Sequence, residues 1–177
     1  MNIYFKGIQI RNAAFADCQQ LADWWNDGRV MAHAGFPNGL GTTPDEVSRQ
    51  LARESDEKGR TLIIEYCGRP IGEMNYRKIG DRTAEIGIKI CEPDHQERGL
   101  GRIVLSLLIK ELFSTGYTKI VLDTNLKNHR AQHVYELLGF QKVRVNHDSW
   151  TDQLGERQSS VDYELNPQAF RDYSIDL

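Results

Sequence analysis

The chain has 177 residues, a length that one domain with a substantial core accommodates. Its 22 basic and 25 acidic residues leave a net charge of −3, which argues against a nucleic-acid binder. No apolar run approaches the roughly 20 residues of a bilayer crossing, and MNIYFKGIQIRN lacks a signal-peptide pattern, so no membrane partner is expected. Cys18, Cys67 and Cys91 are odd in number and lack metal-ligand spacing, and the five histidines form no ligand pattern. The expectation is a cytoplasmic protein with reduced thiols and no bound metal.

In chain order, GIQIRNA alternates as a first strand, and Asp17 to about Asn26 carries Leu21, Ala22, Trp24 and Trp25 as a helix. HAGFPNGLGTTP is a loop by its Gly and Pro content. Thr43-Pro44 opens a second helix that runs through DEVSRQLARESDE. Three short β-rich runs follow, joined at Cys67-Gly68-Arg69 and at Gly80-Asp81. A helix starts near Gly99, TKIVLDT is an apolar strand, and Asn128 to Leu138 is a helix ended by Gly139. FQKVRVN and SVDYEL close the chain as a pair of strands around a loop at Trp150–Arg157. The order β-α-α-β-β-β-α-β-α-β-β, with hairpins at its centre, predicts an α/β (α+β) three-layer domain spanning 1–177, with a mixed sheet.

The junction HQERGLGRIVLSLLIKELF holds the first functional signal. Leu100, Ile103, Val104, Leu107, Leu108 and Leu112 recur at helical spacing and mark a face that packs on a sheet. The first turn of such a helix presents unpaired N–H groups and the positive end of its dipole. Gly99 and Gly101 lack Cβ atoms, so an anion can approach those donors, with Arg98 and Arg102 adding charge. A P-loop is excluded by the missing Gly-Lys-Ser/Thr, and the dinucleotide fingerprint by the missing third glycine. Taken alone, the same glycines more often mark a plain turn on a solvated basic surface.

A second motif follows about twenty residues later. Gln96-x-x-Gly99-x-Gly101, followed by Asn128-x-x-Ala131-x-x-x-Tyr135-Glu-x-x-Gly139-Phe140, resembles the GNAT superfamily of N-acetyltransferases, over about Thr61 to Phe140. The resemblance is nearest to the branch of ribosomal-protein and small-amine acetyltransferases, and it implies that fold, with a mostly antiparallel sheet. It also implies acetyl-CoA as co-substrate, its diphosphate held by Gln96, Glu97, Arg98, Gly99, Leu100, Gly101 and Arg102. The backbone of Lys89, Ile90 and Cys91 would bond the pantetheine arm, as an added strand does. Asn128 would hydrogen-bond the same arm from the first turn of its helix, and Tyr135 would protonate the departing thiolate.

Chemistry narrows the remaining roles. An amine attacks only when neutral, so a base must take its proton. Asp123 is the first candidate, and Glu85 and Glu73 are rivals on strands that are otherwise apolar. The plain alternative for all three is a solvated or arginine-paired carboxylate, and for Tyr135 a core aromatic. A covalent relay through Cys91 is unnecessary, because a thioester is already activated. The acceptor is expected to be a primary amine: a small cationic amine, an aminoglycoside or a protein N-terminus. WWNDGRVMAHAGFPNG and HDSWTDQLGERQ are the segments to recognise it. Trp24, Trp25, Phe36 and Trp150 would form an apolar wall there, or else belong to the core, while Asp27 and Asp152 would attract a cation. A homodimer is among the expected assemblies. The rival function is a non-catalytic CoA-binding module on the same fold.

Overall fold

Turn chemistry builds the first half of the sheet hairpin by hairpin. In the computed structural model, which describes residues 1–175, β1 (Asn2–Phe5) and β2 (Ile8–Asn12) are joined through Lys6 and Gly7, with φ of 43° and 82°. Two successive positive φ values make the type I′ turn whose twist suits a hairpin. Lys6 stands where Asn or Asp usually announces that turn, so the sequence reading begins the first strand only at Gly7. Three helices follow: α1 (Cys18–Asn26), α2 (Gly28–Met31) and α3 (Pro44–Leu51). Thr43 and Glu46 form a reciprocal capping box at the start of α3.

The second helix ends earlier than its sequence pattern suggests. Glu54 accepts from the Thr61 N–H and hydroxyl at 2.7 and 2.6 Å, and Ser55 bridges to Gly59. Polar side chains that bond nearby backbone compete with a helix in this way. β3 (Gly59–Tyr66), β4 (Arg69–Gly80) and β5 (Thr83–Ile90) then pair antiparallel in sequence order. Next come α4 (Leu100–Ser114), β6 (Lys119–Asn125) and α5 (His129–Leu137). The chain closes with β7 (Gln141–Thr151) and β8 (Arg157–Leu165), so Trp150 lies on a strand and the expected loop shrinks.

The eight strands form one sheet in the order β1-β2-β3-β4-β5-β6-β8-β7. Only β5 and β6 run parallel, as the crossover through α4 requires. One face carries Leu62, Ile64, Met74, Ile86, Leu122 and Tyr163 against the apolar stripe of α4. The other carries Ile63 and Cys91 against Leu21, Trp24, Trp25 and Val47 of α1 and α3. These are the three layers and the mixed, mostly antiparallel sheet that the sequence implies. Trp24 and Trp25 are core residues here, their indole N–H groups donating to Glu92 and Glu73 at 3.0 and 3.3 Å.

One irregularity decides where a ligand can enter. The β5–β6 pairing spans only Thr83↔Lys119, Ala84↔Ile120 and Glu85↔Val121. Beyond Glu85 and Val121 the strands continue to Ile90 and Asn125 without pairing to each other. The gap lies at the carboxyl ends of the two parallel strands, where open sheets place their ligands.

Candidate active site

A cleft of about 1070 Å³ fills that gap. The unpaired edge of β5 from Ile86 to Ile90 forms one wall, and Asp123, Asn128 and Tyr135 lie on the other. The glycine turn before α4 lines it too, as do Arg29, His33 and Trp150.

The turn is shaped for close approach. Glu97 and Gly99 have φ of 58° and 76°, and no side chain caps the start of α4. Its first N–H groups are therefore left for a ligand or water. The position a Cβ would take at Gly101 is empty to 4 Å, and Gly101 lines the cleft. Two buried polar atoms nearby, His95 Nδ1 and Arg102 Nε, have no hydrogen-bond partner among the described residues. Both residues line the cleft, and such orphans are uncommon in a protein that lacks a ligand for them. Those donors and that open space fit a diphosphate.

The remaining turn residues divide their work. Gln96 donates to the Ile90 carbonyl at 2.8 Å and so braces the turn against β5. Arg98 is exposed at the cleft. The Leu100 side chain is buried in the α4 core, which leaves only its backbone to the turn. Glu97 pairs with Arg130 of α5 at 2.9 Å across the mouth of the cleft, an ion pair that the sequence spacing does not announce.

On β5, Lys89 and Ile90 line the cleft. Cys91 turns to the other face, in the α1–α3 core, where its Sγ donates to the Lys89 carbonyl at 3.6 Å. Burial pushes its thiol well above the ordinary cysteine range, and Glu73 adds to this. A thiol held that way is a poor nucleophile. Asn128 precedes the first turn of α5 and caps it, accepting from the Ala131 N–H at 3.2 Å. It lines the cleft with its amide nitrogen 3.5 Å from the Thr124 hydroxyl.

Tyr135 is buried at 7% exposure, edge-on to Phe140 and Tyr163 with ring centroids 5.8 Å apart in both pairs. Its hydroxyl makes no hydrogen bond among the described residues, and Tyr135 lines the cleft. Burial, then the charge of Asp123, pushes its pKa up to about 12. The Asp123 carboxyl is raised as well, by burial first and then by Glu85 and Asp162.

The three carboxylates separate by their partners. Glu85 is paired with Arg77 and borders a second depression rather than the cleft. Glu73, 2% exposed, is paired with Lys89 at 2.9 Å and also takes the Trp25 N–H. Burial would lower the Lys89 pKa, but the charge and hydrogen bond of Glu73 outweigh it and hold it above the ordinary lysine value. Asp123 alone of the three has no ion pair and faces the cleft, as the sequence alternation with Val121 places it.

The two segments that the sequence nominates for acceptor recognition meet in space. Gln153 donates its N–H to Gly35 O at 2.9 Å and its amide to Gly39 O at 3.0 Å, and accepts from the Asn38 N–H at 2.9 Å. Trp150 lies against Gly35 so closely that a Cβ there would stand 2.4 Å from its ring. Phe36 stays outside the cleft, while Asp27 is bound to Arg29 and Asp152 caps its own turn. Among the described residues, no group of side chains has the makings of a metal site, and no helix is long and apolar enough to cross a membrane.

This geometry has relatives. The chain is 28% identical over 176 residues to the L-amino acid N-acyltransferase MnaT of Escherichia coli (strain K12), covering 92% of this chain and 99% of that protein. The spermidine N-acetyltransferase from Vibrio cholerae, solved with CoA and spermine, superposes with a TM-score of 0.82 at 21% identity, over 92% and 97% of the two chains. The ribosomal-protein-S5-alanine acetyltransferase from Vibrio fischeri superposes at 0.81 and 15% identity, over 97% and 99%. At those identities the superpositions establish the fold. A family model carries the match further, since residues 18–140 fit it and take in both the glycine turn and Tyr135. The chain belongs to the acetyltransferase (GNAT) family.

Proposed function

We propose that the protein transfers an acetyl group from acetyl-CoA directly to the primary amine of a small or peptidyl acceptor. The observation that carries this is the cleft between β5 and β6, which joins a diphosphate cradle at Gly99 and Gly101 to Tyr135 and Asp123. Acetyl-CoA, when bound, supplies the acyl group as an activated thioester.

The chain's own residues supply the rest. The N–H groups at the start of α4, with Arg98 and Arg102 beside them, hold the diphosphate. The unpaired β5 edge from Ile86 to Ile90 bonds an amide-bearing arm as another strand would. Asp123 accepts the proton of the attacking amine, directly or through a water, and its raised pKa makes it a stronger base than an ordinary aspartate. Tyr135 keeps its proton at neutral pH and donates a hydrogen bond to the departing thiolate.

Asp123, a carboxylate without an ion pair that lines the cleft, suits an amine that arrives protonated. Glu85, Asp123 and Asp162 stand close enough for the other two to perturb Asp123. The test is calorimetric titration with CoA, followed by thiol release from acetyl-CoA against a panel of polyamines, amino acids and peptide N-termini. Heat with CoA and release with one acceptor class is the expected result. Heat without release on any amine would make the protein a binding module, and no heat at all would remove the proposal.

A further inference from the structure

The chain does not end with its sheet. Beyond β8, residues 169–174 lie outside the segment that carries the family match and pack back on α4. Hydrogen bonds and an ion pair fasten them. The Arg171 N–H donates to Leu138 O at 3.0 Å, the Tyr173 N–H donates to the Ser106 hydroxyl at 2.9 Å, and Asp172 pairs with Lys110 at 2.8 Å. Ser106 is fully buried, so its bond to Tyr173 satisfies a polar group inside the core.

Held there, the Tyr173 ring lies 5.2 Å from Arg102 Cζ, face to cation. The Arg102 side chain folds back over the glycine turn, its Nε 3.7 Å from where a Cβ of Gly99 would stand. That Nε is buried and unpartnered, although Arg102 lines the cleft. A lone buried donor is unfavourable, so something other than hydrogen bonding keeps the guanidinium in place.

We propose that the C-terminal segment is part of the cofactor site, with Tyr173 as a positioning residue that holds the Arg102 guanidinium at the Gly99 turn. The proposal rests on the acetyl-CoA reading above. A stacked guanidinium keeps its N–H edge free for phosphate oxygens, and its flexible stem is ordered before the ligand arrives. Binding then spends less of its free energy on fixing the side chain.

The experiment is a calorimetric titration with CoA of the wild type, Tyr173→Phe, Tyr173→Leu, Arg102→Ala and the double variant Tyr173→Leu/Arg102→Ala, with melting curves alongside. Tyr173→Phe is expected to bind within about twofold of the wild type, and Tyr173→Leu to bind about three- to fivefold more weakly. Arg102→Ala should lose about tenfold, and the double variant no more than Arg102→Ala alone, because Tyr173 acts through Arg102. Equal losses in the Phe and Leu variants, an unchanged Leu variant, or additive losses in the double variant would overturn it. If Tyr173→Leu does not fold, Lys110→Ala unfastens Asp172 instead, and its loss must likewise vanish when Arg102 is absent. Absence of heat in the wild type would instead overturn the acetyl-CoA reading itself.

Discussion

Asp123 of β6 stands directly opposite Asp162 of β8 in the antiparallel register. Like charges so placed repel. Arg144 at 3.0 Å and Asn146 at 2.9 Å hold Asp162, whereas Asp123 has no cation of its own. Its pKa is raised in the folded protein, so the stability tied to its proton is full in acid and is lost as pH climbs through the folded value. At neutral pH the Asp123 charge is therefore a burden on the fold.

Asp123→Asn should melt higher than the wild type at pH 7, with the advantage closing below about pH 4, where the unfolded carboxyl is also neutral. The same variant should lose turnover and flatten the rise of rate with pH. Thermal scans and rate profiles across pH check both halves. A pH–rate profile identical to that of the wild type would remove Asp123 as the base.

Tyr135→Phe keeps the edge-on contacts with Phe140 and Tyr163 and removes only the hydroxyl. Turnover should fall about a hundredfold or more, the usual weight of a positioned proton donor. The melting temperature and the affinity for CoA should stay where they are. Stopped turnover with an intact fold identifies a chemical role, while a large drop in melting temperature with little kinetic effect would mark Tyr135 as a core aromatic.

Gly101→Ala should move stability and binding in opposite directions. The new methyl meets nothing within 4 Å in the free protein, and alanine in a helix gains about 0.5 kcal/mol over glycine. It also intrudes on the cradle, and CoA should bind about tenfold more weakly, the order of one lost charge-assisted hydrogen bond. CoA affinity that survives this substitution would place the diphosphate elsewhere.

Glu73→Ala leaves the partly buried Lys89 ammonium without its partner. The loss should be about 3 kcal/mol at pH 7, as for other broken buried pairs. With Glu73 gone, burial lowers the Lys89 pKa, so the deficit should shrink as pH approaches about 10 and the lysine becomes neutral. Denaturant midpoints at pH 7 and pH 10 measure it.

The sequence by itself determined a good deal. Helical spacing from Leu100 to Leu112, glycines at Gly68 and Gly139, and the paired motifs around Gly99 and Tyr135 are local patterns, written within one or two turns of chain. From them the three layers, the family, and the glycine turn and the Tyr135 side of the cleft are legible. Only the tertiary structure decided which carboxylate is free, because Arg77, Lys89 and Arg144 reach their partners across neighbouring strands. It also sent Trp24 and Trp25 to the core and Trp150 to the cleft, and inserted β8 between β6 and β7. The stack of Tyr173 on Arg102 joins residues 71 positions apart, and no periodicity foretells it. Side-chain pairing across a sheet depends on register and strand order, and those are settled only when distant apolar faces pack together.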